Sequence, residues 1–299
     1  MPSKISKVLY KQITRLKPVL HAMDMDIEAA RKSQDALGAL GARALKNRIV
    51  FEPEPFDNFE ADWALPCNGT ADGGVILYLH GGSYTAGSLA YSKGFGGVLA
   101  EKLERIVLCV AYRLAPEHPF PSALDDAVEA YLRICKKYPS QRISIVGESA
   151  GGGLTFALAV KLKEMDVPAP ACVVALSPWT DLTCSGSSFE TNAEVDPSLF
   201  LDSLRTSAGY YSLGDTTNPL VSPLFADLSN MPPALVYAGS LELLLDDSVR
   251  ITDRYGKFGS SCELHIVEDM WHVFVIFGTP EAKEALERIR EFIDEKTLV

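Results

Sequence analysis

The stretch Ile143-Ser144-Ile145-Val146-Gly147-Glu148-Ser149-Ala150-Gly151 decides the fold. An apolar, strand-like run from Ile143 to Val146 feeds a Gly-x-Ser-x-Gly turn, and a helix-like run from Leu154 to Leu162 follows it. In that strand–turn–helix context the pentapeptide reads as a nucleophile elbow, which lifts a serine hydroxyl clear of a sheet. Small residues two before and two after the serine let strand and helix approach without clashing. The hydroxyl is then open to a neighbouring base.

Working outward, His80-Gly81-Gly82-Ser83 follows a second apolar run, Val75 to Leu79. Glycines there let backbone N–H groups turn towards a substrate oxygen with no side chain in the way. Gly81 and Gly82 are the expected oxyanion donors, joined by the N–H of Ala150, the residue after the serine. Strand-like runs at about 48–52, 59–65 and 75–79 read as the opening hairpins of a mixed sheet. Past residue 90 the pattern alternates. A helix near 92–103 precedes strand 105–111, helix 122–137, strand 143–146, helix 149–165 and strand 171–176, and strand 234–239, helix 246–258, strand 262–267 and helix 280–296 come later. Such alternation predicts an α/β fold, a mostly parallel central sheet with helices on both faces. Functional groups are then expected at the carboxyl ends of strands. Ahead of the sheet, Asp26 caps a helix predicted from Ile27 to about Leu40 and ended by Gly41. The stretch 185–225 breaks the alternation and carries a helix-like piece from Pro197 to Tyr211.

On these residues the chain resembles the hormone-sensitive lipase family of α/β-hydrolase esterases, the bacterial family IV. The resemblance covers nearly the whole length. Its most specific stretches are HGGSYTAGS at 80–88, AYRLAPEHPFPSALDD at 111–126, GESAGGGL at 147–154, SPWTDLT at 177–183 and EDMWHVF at 268–274. It implies hydrolysis of short- to medium-chain acyl esters by a serine nucleophile with no cofactor. It also implies a helical cap, here residues 1–45 and an insertion at about 185–225, over a catalytic domain spanning 46–299. Family members often dimerise through an edge strand, which would be 262–267 here.

A serine needs an adjacent base. Of the five histidines, His272 follows the last strand, where the fold's order of serine, acid, histidine puts the base. His80 belongs to the oxyanion loop, His21 to the N-terminal helices, His118 to a turn and His265 to a strand. The acid should follow strand 234–239, where the family usually has D-P-L-x-D-E. Here the chain reads Ser240-Leu241-Glu242-Leu243-Leu244-Leu245-Asp246-Asp247, and alignment on Leu244 and Asp246 puts Glu242 at the acid position. Asp246 is the rival, better suited to capping the next helix. Ser83, Tyr84, Phe200, Leu204, Tyr211 and Trp271 are candidates for the substrate pocket, although the aromatic and aliphatic ones suit ordinary packing between cap and core equally well. Asp181, and Arg113 with Glu117, read as structural charges that satisfy backbone and each other.

Bulk properties narrow the rest. A net charge of −11 disfavours nucleic acid, because phosphate repels an acidic surface. Six cysteines without a C-x-x-C pair read as small buried hydrophobes in a reducing, cytoplasmic setting. No apolar run reaches membrane-spanning length, so no stable insertion is expected. The start is basic, with Lys4, Lys7, Lys11, Arg15 and Lys17 among Val8, Leu9, Ile13, Leu16 and Leu20 at near-helical spacing. Packing on the rest of the chain with the lysines solvated is the plainer reading, and a membrane-surface helix the other. A carboxylesterase acting on a small acyl ester fits best. A lactonase with the same triad, or a non-catalytic receptor on the same fold, is the alternative.

Overall fold

The computed structural model describes residues 1–70 and 74–297. Two helices come first, α1 (Lys4–Asp24) and α2 (Ile27–Ala44). Strands β1 (Ile49–Glu54), β2 (Glu60–Pro66) and β3 (Val75–Leu79) follow, then α3 (Leu89–Leu103), β4 (Ile106–Ala111), α4 (Ser122–Cys135), β5 (Ile143–Glu148), α5 (Ala150–Glu164) and β6 (Cys172–Leu176). The short α6 (Ser188–Thr191) and α7 (Leu201–Ser212) interrupt the alternation before β7 (Ala234–Gly239), α8 (Leu245–Lys257), β8 (Cys262–Val267) and α9 (Pro280–Thr297). All eight strands form one sheet in the order β1-β2-β4-β3-β5-β6-β7-β8.

The sheet is antiparallel only at one side, where β2 pairs with β1 and β4, and parallel from β4 to β8. β1 and β2 form the expected hairpin. β3 does not extend it: it lies between β4 and β5 and is parallel to both. Its five residues explain the difference. Val75, Leu77 and Leu79 face one core with α4 and α5, while Ile76 and Tyr78 face the other with α3 and α9. A strand apolar on both faces is stable only where helices cover both. Each such buried aliphatic side chain contributes roughly 1.5–3 kcal/mol relative to exposure. β8 closes the far side of the sheet. His265 there stacks on Tyr237 of β7 at 4.8 Å, in keeping with a structural part.

The N-terminal helices are fixed by polar ties. Ser6 of α1 donates to Glu281 of α9 at 2.6 Å, and Arg31 of α2 makes a bidentate pair with Glu117 at 2.8 and 2.7 Å. Glu117 therefore does not serve Arg113, whose guanidinium and backbone N–H instead donate to the buried Asp126 of α4. Asp26 accepts from the N–H groups of Glu28 and Ala29 and so caps α2. Gly41 does not end that helix, which runs on to Ala44. Gly38 and Gly41 are spent on close packing. A Cβ on Gly38 would lie 2.3 Å from Tyr91 Cα and 2.4 Å from the Ala90 carbonyl oxygen, and one on Gly41 would lie 3.3 Å from Gly94 Cα. Backbone meets backbone, so α2 and α3 cannot part slightly to admit a side chain without losing the whole contact.

Gly38→Val should therefore destabilise the protein by about 1–3 kcal/mol, the range for overpacking a tight contact. Urea unfolding checks this, with the midpoint shifted down and the N-terminal helices becoming protease-sensitive first.

Candidate active site

Ser149 stands between β5 and α5 with φ 55° and ψ −122°, a left-handed conformation that a side-chain-bearing residue adopts only under constraint. Its N–H donates to the Leu176 carbonyl at 2.8 Å, and its carbonyl accepts from Trp179 at 2.9 Å, so the ends of β5 and β6 hold the turn. The flanking glycines are steric necessities. A Cβ on Gly147 would sit 2.3 Å from the Gly151 oxygen, and one on Gly151 would sit 2.1 Å from the Leu79 oxygen and 2.3 Å from that of His80.

His272 lies in the loop after β8, and its Nε2 is 2.9 Å from Ser149 Oγ. Its Nδ1 is 3.1 Å from Glu242 Oε2, on the loop after β7. With the ring proton on Nδ1 donated to the carboxylate, Nε2 is free to accept from the serine hydroxyl. Gly239 permits the loops to meet, since a Cβ there would lie 2.4 Å from the Met270 oxygen. Glu242 is fully buried, and burial raises its pKa against the opposing pull of His272. Asp246 is turned elsewhere. It does not cap its own helix, because its carboxylate accepts from Ser187 Oγ and the Ser188 N–H, tying α8 to α6.

Two further residues position this trio and escaped the sequence reading. Ser177, in the SPWTDLT stretch, accepts the Val273 N–H through its hydroxyl at 2.9 Å and stabilises the charged form of Glu242. One hydroxyl thus joins the acid to the loop carrying the base. Buried Asp196 accepts from the N–H groups of Ser198, Leu199 and Leu243, and so couples the 196–199 turn to the residue after Glu242. In the sequence Ser177 stood out only as the first residue of the SPWTDLT stretch. Asp196 carried the Asx-turn signature of an aspartate two and three residues before polar and apolar loop positions.

Among the described residues, the N–H groups of Gly82, Ser83 and Ala150 find no protein acceptor. Ala150 is the first residue of α5, so its N–H has no partner within the helix. Gly81, expected beside them, faces the Glu148 carboxyl instead, and its amide favours the charged form of that group. A Cβ on Gly81 would come within 2.4 Å of Glu148 Oε2. Tyr78 donates its hydroxyl to the other oxygen at 2.8 Å, and Tyr91 also bonds the carboxyl. Burial nonetheless pushes Glu148 up to about 7. His80, whose ring lies face to face with Tyr112 at 4.3 Å, is pushed by burial down to about 4 and stays neutral.

Ser149 and His272 open into a cavity of about 470 Å³. Of the six expected pocket residues only Ser83 lines it. Tyr84 and Tyr211 are buried against each other, ring centroids 3.8 Å apart, and Leu204 is buried in the same core cluster. Phe200 stacks on His21 at 4.4 Å and faces a separate hollow beyond Leu199. Trp271 is fully buried against Tyr10 and Phe277. The apolar wall comes instead from Leu37 of α2, from Tyr91, Phe95 and Val98 of α3, and from Leu199, Ile276 and Phe277. The i, i+4, i+7 spacing of the three α3 residues was its only trace in the sequence.

A serine, histidine and carboxylate in this relation on an eight-stranded α/β sheet define a serine hydrolase constellation. A family model described as alpha/beta hydrolase fold matches residues 76–276. An acetyl-hydrolase of Streptomyces hygroscopicus is 34% identical over 281 residues, covering 91% of each chain. An esterase of Acinetobacter venetianus is 35% identical over 223 residues, covering 73% of this chain and 74% of its own. The crystal structure of an esterase from the bacterial hormone-sensitive lipase family superposes with a TM-score of 0.88 at 35% identity, covering 99% of this chain and all of that one. The chain belongs to the hormone-sensitive lipase-like esterases of the α/β-hydrolase fold.

The raised Glu148 carboxyl makes folding pH-dependent. Its contribution is fully present below its ordinary value of 4.5 and is lost as pH rises through about 7. Glu148→Gln, which cannot ionise, should gain stability relative to the parent across that window, by on the order of 3 kcal/mol in all. Urea titrations at pH 5, 6, 7 and 8 (about one-unit steps) measure the difference. A constant difference would mean that the carboxyl titrates in its ordinary range.

Proposed function

We propose that this esterase cleaves short- to medium-chain acyl esters through Ser149, His272 and Glu242 and a covalent acyl-enzyme. The observation that carries the reading is the unbroken relay from Glu242 Oε2 to His272 Nδ1, 3.1 Å, and from His272 Nε2 to Ser149 Oγ, 2.9 Å, at the floor of an apolar cavity. Both separations lie within proton-transfer reach.

In the proposed reaction His272 removes the Ser149 proton as Oγ attacks the ester carbonyl. Glu242 holds the ring in the tautomer that leaves Nε2 bare and stabilises the imidazolium that forms. The free amides of Gly82, Ser83 and Ala150 are the available donors to the oxyanion, each worth roughly a hundred- to a thousand-fold in rate by the precedent of other hydrolases. Gly81 acts one step back, by anchoring the loop to Glu148. The imidazolium protonates the departing alcohol, and water, activated by the same histidine, releases the acid. No step requires a cofactor. The N-terminal helices and the 185–225 segment serve as the cap, supported by the contributions of α2 and of Ser198 and Leu199 to the cavity wall. A cavity of about 470 Å³ lies in the ordinary range for small-molecule sites and suits a modest acyl chain.

Turnover of p-nitrophenyl acyl esters from acetate to dodecanoate tests this. Ser149→Ala and His272→Ala should each lower kcat by on the order of a million-fold, and Glu242→Gln by on the order of ten-thousand-fold. Asp246→Asn should leave it near the parent value. Loss on Asp246→Asn with retention on Glu242→Gln would overturn the assignment of the acid. A fully active Ser149→Ala protein would overturn the reaction itself.

A further inference from the structure

The surface of α1 is unlike the rest of the molecule. The chain carries a net charge of −11, yet Lys4, Lys7, Lys11, Arg15 and Lys17 all precede its first carboxylate, Asp24. One side of α1 is committed to the protein. Ser6 bonds Glu281, Tyr10 donates to the Val195 carbonyl, Leu9, Tyr10 and Ile13 pack on the core, and Lys17 donates to the Ala193 carbonyl. The remaining surface divides cleanly. At about 100° per residue, Lys7, Lys11, Lys4 and Arg15 fall on neighbouring lines along the helix, all exposed. Beside them run Val8, Val19, Ile5 and Leu16, each with more than half its surface in solvent. Among the described residues none of these four cations pairs with a carboxylate. On α2, Leu37 and Leu40 are likewise exposed, at 66% and 69%, and Leu37 also lines the cavity above Ser149. Among the described residues, eight of the 17 exposed large apolar ones thus fall in the first 44 positions, so the apolar surface is concentrated and not scattered.

We propose that α1 docks this protein on an anionic phospholipid surface, with the four outward cations on the headgroups and the adjoining apolar strip in the acyl boundary. Paired cationic and apolar strips on one helix face are the pattern of interfacial binding. The acidic remainder of the chain is repelled by the same surface, which leaves this face as the one that can approach. Spanning is excluded for α1, because no helix among the described residues is long and apolar enough to cross a membrane. A symmetric contact with a second copy is disfavoured, because it would set four cations against the same four. The proposal is independent of the reaction assigned above.

Co-sedimentation of the full-length protein with vesicles tests it. One set is phosphatidylcholine alone, and the other contains roughly one-third phosphatidylglycerol, so that anionic charge is the variable. Binding is expected only to the anionic set and should weaken as salt shortens the screening length. Lys7→Gln with Lys11→Gln should lower partitioning by on the order of thirty-fold, at roughly fivefold per charge. Val8→Ser with Val19→Ser should also lower it, while both double variants keep the parent melting temperature and p-nitrophenyl acetate turnover. Three outcomes overturn the proposal. The first is equal sedimentation with the two vesicle sets, or none with either at low salt. The second is anionic binding that ignores the Val8 and Val19 substitutions and is matched by a soluble polyanion such as heparin. The third is concentration-dependent dimerisation in light scattering that the same substitutions abolish, which would assign the face to a second copy of the chain.

Discussion

Two carbonyl oxygens, those of Leu79 and His80, occupy the space that a side chain at position 151 would need. The rest of the site depends on that contact. Because Gly151 has no Cβ, α5 seats its first turn directly on the end of β3, and the turn before it has to be sharp. Ser149 is left in a backbone conformation that costs about 1–3 kcal/mol and persists only when its surroundings over-determine it. Here they do, through hydrogen bonds to Leu176 and Trp179. The same contact brings the loop after β3 beside the serine. A larger residue at 147 or 151 would therefore disturb the hydroxyl and the amides facing it together.

His272 and Glu242 reach the serine by a different route. Each sits on a loop, and loops are mobile unless tied. The ties are few and shared. Ser177 at the end of β6 serves both the His272 loop and the Glu242 carboxylate, and Asp196 serves both the residue after Glu242 and a turn that walls the cavity. Such sharing couples the geometry of binding to that of proton transfer, since a shift of the 196–199 turn is felt at Leu243. Groups linked through common hydrogen bonds respond to substitution non-additively.

What could be read from the sequence followed how local the determining physics is. The elbow at 147–151 and the glycines at 81 and 82 announce themselves as short local motifs, although the contacts that require Gly151 and Gly81 lie about seventy residues away, with Leu79 and His80 and with Glu148. Glu242 was placed over Asp246 by aligning Leu244 and Asp246 with the acid pattern of the family the chain resembles, and no local physical signal separated the two. The cavity wall was not legible, because an amphipathic helix shows that it has an apolar face but not which neighbour that face meets. Leu37, Phe95 and Val98 drew no notice in the sequence yet wall the cavity, whereas Tyr84 and Tyr211, expected in the wall, are closed against each other. Gly41 misled for a related reason. A glycine near a helix end suggests a stop, but this one is explained by Gly94 on another helix, some fifty residues away. The partner of Arg113 was misjudged likewise, since Asp126 and Glu117 are both near in sequence and only tertiary packing selects between them.

The departure at the acid position has an electrostatic consequence. Glu242 is fully buried, its second oxygen, Oε1, has no hydrogen-bond partner among the described residues, and Ser177 offsets the loss of solvent only in part. Burial therefore leaves it with a raised affinity for positive charge, and its nearest titratable neighbour is the imidazole of His272. In the proposed reaction that charge appears only transiently, when Ser149 has given up its proton. An under-solvated carboxylate gains more from this transient charge than a well-hydrated one would, because little competing hydration has to be displaced. Asp246, partly exposed and already satisfied by Ser187 and Ser188, has no such unmet demand. In the proposed reaction the Glu242 charge, held in a fully buried position, would stabilise the imidazolium selectively at the moment it forms.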